Sequence, residues 1–203
     1  MVELSESVWV GADPGGNKAF GLAFLSRSGE VTTDCVSSAF EAIDLITSPP
    51  LGVGVDAPLW WSSGKSSDRK ADKWLRRTHG IASGTVQTAN SLKGAALVQG
   101  AMFVSRLREK FPGVPVTEAH PKAFAKAFGG WESPTMKALG LVTSSGEHER
   151  DAVMAAIAAR EGFERRWTID LSLDRDEREQ DPKVYWLGPI SYFWPEKADL
   201  PTG

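Results

Sequence analysis

Four acidic residues stand at the ends of apolar runs: Asp13 closes VWVGAD, Asp56 closes LGVGVD, Glu118 closes VPVTE, and Asp151 opens DAVMAAIAA. A carboxylate at the end of a buried strand is costly to desolvate unless a positive group meets it. Several such residues in one chain predict a shared cation.

The runs themselves predict the elements. Residues 7 to 13 form a strand that enters the loop Asp13-Pro14-Gly15-Gly16, AFGLAFLS forms a second, and the turn SRSGE leads to a third in EVTTDCVSS. Three consecutive antiparallel strands are the simplest assembly. Ser38 with Glu41 is a capping box, Phe40, Ile43 and Ile46 keep helical spacing, and Pro49-Pro50 ends that helix. LGVGV, apolar at almost every position, predicts a fourth strand covered on both faces. From Pro58 to about Lys93 the composition shifts to tryptophans, Ser/Gly stretches and DRKADKWLRR, which predicts a helical insertion or flap. A long Ala-rich helix through Lys110, a fifth strand in GVPVTE, a helix from Pro121, a short one around Met136 and a last helix through Arg160 follow. The charged segment after Gly162 reads as a solvated connection, and VYWLGPISYFWP as two short runs that pack as edge strands or as a tail.

A chain of 203 residues, 41% hydrophobic, predicts a single α/β domain over residues 1–203, with the insertion at about 58–93 and a C-terminal tail at about 164–203. Nothing approaches the roughly 20 apolar residues that cross a bilayer, and MVELSES lacks the features of a signal peptide. Cys35 is the only cysteine, which excludes an internal disulfide and a cysteine-rich zinc site. The expectation is a soluble, cytoplasmic protein without a membrane partner.

Carboxylates without cysteine suit Mg²⁺ or Mn²⁺, hard cations that favour oxygen ligands. Each candidate also has a plainer reading. Asp13 sits in a good turn sequence, Glu118 can face solvent at a strand end, and Asp151 can favour the helix dipole. His120 reads equally as a buried, satisfied side chain and His148 as part of a solvated helix end, while either could carry protons near working pH. Lys18, after two glycines, fits a phosphate contact or a surface position.

The order of elements resembles the ribonuclease H-like fold, in which a central mixed five-stranded sheet, three antiparallel strands and then parallel ones, has helices on both faces. VGADPGGNKAFGLAFL, VGVDAPLWW, TEAHPKAF and HERDAVMAAIAA resemble, in order, the landmarks of domain-of-unknown-function family 429, regarded as predicted nucleases of that superfamily. The resemblance spans residues 7 to 163, and GPISYFWP is similar to the family's end. It implies a divalent-metal-dependent phosphodiester hydrolase with Asp13, Asp56, Glu118 and Asp151 as metal ligands and catalytic residues, and with His120 in the site. On that reading Asp13 bridges two ions, Asp56 and Asp151 hold one each, and Glu118 completes the shell.

The net charge of −3 argues against broad nucleic-acid affinity, so any such partner has to meet a local patch. Lys65, Arg69, Lys70, Lys73, Arg76 and Arg77, with Trp60 and Trp61 nearby, form the candidate patch; Trp60 could stack a base or act as a lid. The plainer reading is a solvated helix in which Asp72 pairs with Arg76. Two other functions compete. GADPGGNKAFGLAFL also resembles the phosphate hairpin of actin-like ATPases and sugar kinases, although no second phosphate loop accompanies it. The third class is a non-catalytic binding module on the same fold.

Overall fold

The computed structural model describes residues 7–16, 18–64, 67–89, 92, 94–141 and 146–201. Its centre is a mixed sheet. Strands β1 (Trp9–Asp13), β2 (Phe20–Leu25) and β3 (Val31–Val36) run antiparallel, as their β-branched and aromatic runs separated by Gly-containing turns require. On the other side of β1, β4 (Gly52–Val55) lies parallel to it and β5 (Val116–Glu118) parallel to β4.

The sheet does not end at the expected fifth strand. β7 (Ile190–Trp194) adds parallel to β5, and β6 (Ile169–Asp170) adds antiparallel to β7, so seven strands run in the order β3-β2-β1-β4-β5-β7-β6. Ile190, Tyr192 and Trp194 alternate with less buried residues and are themselves almost unexposed, which makes the segment an inner strand rather than a tail. The preceding VYW forms no strand, and Val184 and Trp186 are exposed.

The described residues include six α-helices, α1 (Ala39–Leu45), α2 (Lys70–His79), α3 (Gly94–Lys110), α4 (Pro121–Ala127), α5 (Pro134–Ala138) and α6 (Glu147–Phe163), of which α1, α3 and α6 pack on the sheet. At the start of α1 the Ser38 hydroxyl accepts the Glu41 amide at 3.3 Å, while the Glu41 carboxylate reaches one residue further back, to the Ser37 amide at 2.9 Å. α1 and α3 pack on each other.

Helix α6 positions the site. Every residue from Asp151 to Ala159 is buried, because the helix lies directly on β1, β2 and β4. Gly11 and Gly54, cross-strand partners, allow that approach: a Cβ at Gly11 would lie 1.8 Å from the Ala152 carbonyl oxygen, and one at Gly54 1.9 Å from that of Ala155. Alternate strand residues face opposite sides of a sheet. Asp13 and Asp56, each two residues beyond one of these glycines, therefore share the α6 face.

Candidate active site

Two carboxylates stand side by side at the ends of β1 and β4. The register pairs Ala12 with Val55, and the Asp56 amide donates to the Ala12 carbonyl at 2.9 Å, which makes Asp13 and Asp56 the next step of the same ladder. Helix α6 starts over Gly21, the β2 partner of Asp13, and its His148 and Asp151, three residues apart, point to one side. His148 Nδ1 lies 2.7 Å from Asp13 Oδ2. Asp151 is fully buried and receives Arg150 on Oδ1 at 3.2 and 3.4 Å. Its Oδ2 has no hydrogen-bond partner among the described residues, and Lys122 Nζ stands 3.6 Å away.

The electrostatics are those of too many acids in one place. Burial pushes Asp13 up to about 6; the hydrogen bond from His148 works against the shift and the Asp151 carboxylate adds to it. Asp56 is pushed well above the usual carboxylate range by burial and then by Asp13 and Asp151. Burial also raises Asp151, although Lys122 and Arg150 oppose it. Three acids whose ionised forms are disfavoured by one another are stabilised by an added cation.

The donor set fits a hard divalent ion. Its oxygens are carboxylate oxygens, and one of them is buried with no hydrogen bond. Among the described residues no group of three or more His, Cys, Asp and Glu side chains is close enough together to hold a metal ion by itself. Mg²⁺ sites in phosphoryl chemistry commonly use one or two carboxylates and complete their shell with waters and substrate phosphate.

Glu118 lies on the other side of the sheet. It pairs with Val55, and the β5 residue level with Asp56 is Ala119, whose amide donates to the Val55 carbonyl at 2.8 Å. The pleat therefore turns the Glu118 carboxylate away from Asp13 and Asp56. It is fully buried and accepts both terminal nitrogens of Arg69 at 2.6 Å and the Leu59 amide at 3.0 Å. Arg69 also donates to Asp72, at 2.8 and 3.0 Å, and its guanidinium sits 4.1 Å over the Trp60 ring. Burial opposes the Arg69 charge, but Asp72 and Glu118 outweigh it and hold the guanidinium protonated. His120 joins this second cluster, its Nε2 3.0 Å from the Thr85 carbonyl oxygen, and burial pushes its pKa down, towards the neutral ring.

The model of the family described as protein of unknown function (DUF429) matches residues 11–183, which takes in Asp13, Asp56, the Arg69 cluster and the whole of α6. The chain belongs to the DUF429 family. No curated protein and no solved structure matches it significantly.

In this DUF429 chain two of the residues expected to form a nucleic-acid patch, Arg69 and Trp60, are turned inward, while Lys70 and Arg77 are exposed and Trp61, Lys73 and Arg76 are half-buried. Arg69 is 2% exposed and bound to two acids, so it offers no guanidinium to a phosphate. Trp60, also 2% exposed, donates its indole N–H to Glu179 at 3.2 Å and is neither lid nor base platform. Arg76 pairs with Asp68 at 2.5 Å and donates to the Val86 carbonyl at 3.3 Å, rather than pairing with Asp72. Within the 58–93 segment, Leu59, Arg69 and Asp72 are thus tied to the end of β5 through Glu118. Lys65 lies outside the described residues. Lys18 is exposed, with φ +55°, in the loop that leaves Asp13.

Two residues that touch the acids are less visible in the sequence. His148, among Glu147, Glu149 and Arg150, has the look of a solvated helix end; its partner is 135 residues away. Lys122, in the first turn of α4, donates to the Glu147 carboxylate at 2.8 Å and reaches toward Asp151. One signal is present for Lys122: a cation in the first turn opposes the helix dipole, so helix stability does not account for it.

Proposed function

We propose that the chain is a divalent-metal-dependent phosphodiester hydrolase, a nuclease on a ribonuclease H-like fold, with Asp13, Asp56 and Asp151 as its carboxylate set. The observation that carries this reading is the placing of Asp13 and Asp56 on one ladder step, with Asp151 of a buried helix near enough to raise the pKa of both and with an oxygen that has no hydrogen-bond partner among the described residues. The order of three antiparallel strands, parallel strands beyond β1 and a long last helix over them supports the fold assignment.

Asp13, Asp56 and Asp151 would hold Mg²⁺ or Mn²⁺, which supplies activation of a water and stabilisation of the leaving oxygen of a phosphodiester. The protein's own groups do the rest. His148 shares a proton with Asp13 Oδ2 through Nδ1 and fixes the direction of that carboxylate. Lys18, exposed beside the Asp13 loop, is the candidate phosphate contact. Glu118 and Arg69 support the site from the opposite face by fixing the end of β5 to α2.

The test is cleavage of a panel of labelled single-stranded, duplex and branched DNA and RNA with Mg²⁺ or Mn²⁺. Wild-type chain is expected to cut at least one member, and Asp56→Asn to lose at least about a hundredfold in rate, the scale of a lost electrostatic contact to the reacting centre. Equal cleavage by both proteins would reject the assignment.

A further inference from the structure

Lys122 faces two acids from one position. Its Nζ lies 2.8 Å from Glu147 Oε1, a largely exposed carboxylate, and 3.6 Å from Asp151 Oδ2, a fully buried one. Glu147 and Asp151 are four residues apart on α6 and therefore on the same side of the helix. The longer distance exceeds a hydrogen bond, so the ammonium neutralises Asp151 through space while Oδ2 keeps its lone pairs free. The Lys122 side chain is 49% exposed and its stem can swing, which a buried arginine such as Arg69 cannot do.

We propose that Lys122, beside the Arg150 bound to Asp151 Oδ1, is an internal counter-ion of the carboxylate cluster in the metal-free protein, and that it moves away from Asp151 while keeping its hydrogen bond to Glu147 when a divalent cation enters. This rests on the metal-site reading above. At the edge of the cluster of Asp13, Asp56 and Asp151, Arg150 is bonded to Asp151 Oδ1 and His148 to Asp13 Oδ2, whereas Lys122 faces Asp151 without a hydrogen bond to it. A divalent ion brings twice the charge and binds the oxygens directly. The two cations repel across a few ångströms, and Glu147 gives the displaced ammonium a partner in solvent. Lys122 then sets the affinity of the site: it weakens metal binding and keeps the acids compatible with folding until metal arrives.

Mn²⁺ titration calorimetry on chelator-treated protein tests this with four chains: wild type, Lys122→Gln, Glu147→Gln and the double variant. Removing a like charge at this range predicts about tenfold tighter Mn²⁺ binding by Lys122→Gln. Glu147→Gln, which removes the exposed acid, is expected to bind several-fold more weakly than wild type. A purely long-range charge effect gives the same two signs, so the double variant decides. If Glu147 acts through Lys122, Glu147→Gln changes nothing in the Lys122→Gln background; independent charges would simply add.

Melting in chelator provides a second readout: Lys122→Gln is expected to melt below wild type and to gain more than wild type from added Mn²⁺. Lys122→Arg keeps the charge and is expected to bind Mn²⁺ within about threefold of wild type; binding as tight as that of the Gln variant would contradict the proposal. Unchanged or weaker binding by Lys122→Gln, or an additive double variant, overturns the counter-ion role while leaving the metal site intact. No Mn²⁺ binding by any of the chains overturns both.

Discussion

Asp13 holds its proton far more tightly than an ordinary aspartate, because it is buried beside other acids. Its ionisation is shifted from 3.8 to about 6, so between those values the native chain keeps a proton that the unfolded chain releases. Stability contributed by this residue is complete below about pH 4 and is lost as pH rises through 6. Asp13→Asn removes the loss: in chelator it is expected to be more stable than wild type at pH 7, by up to about 3 kcal/mol, with the gap closing towards pH 4. Urea unfolding at the two pH values measures this.

Arg69 obeys the opposite logic. Truncation to Met leaves Glu118 and Asp72 buried and unpaired, which costs about 3–5 kcal/mol, whereas a surface phosphate contact would cost little stability. Chemical denaturation of Arg69→Met separates the two roles. Asp56 was legible at this scale, since an acid ending an apolar run asks for a cation. The inward turn of Arg69 was not, because both its acids and its tryptophan are brought to it by the insertion and by a distant strand.

At the scale of elements, the spacing Gly-x-Asp in VGAD and VGVD matters more than either residue alone. The glycine lets α6 touch the sheet, and the alternation of the strand places the aspartate two residues on against the same helix. Gly54→Ala would drive a methyl into the Ala155 carbonyl and is expected to cost about 3 kcal/mol, the upper part of the overpacking range. Thermal unfolding reads that loss, and displacement of α6 predicts weaker Mn²⁺ binding in the same variant. The pleat also explains the fate of Glu118. Strand ends were readable, but only two of the three acids that stand at them, Asp13 and Asp56, share a face, because parity depends on register between strands. That register puts Ala119, not Glu118, level with Asp56.

Across the whole molecule, the first five strands, the capped α1 and the long last helix followed from local pattern. The remaining two strands depend on a segment that returns after a charged connection to pair with β5, and local sequence carries no record of that partner. No helix among the described residues is long and apolar enough to cross a membrane. The family match takes in Asp13, Asp56 and the whole of α6. Asp13, Asp56 and Asp151 come from the first strand, the fourth strand and the last helix, so only the complete fold assembles them.

The central claim is that this assembled cluster binds a divalent cation. Mn²⁺ calorimetry on wild type, Asp13→Asn and Glu118→Gln, each with and without nucleic acid, tests it directly. The account predicts binding by wild type, loss of at least about tenfold in affinity for Asp13→Asn, and affinity near wild type for any Glu118→Gln chain that folds. Absence of binding by wild type at millimolar Mn²⁺, even with nucleic acid present, would contradict it and leave the fold as a binding module.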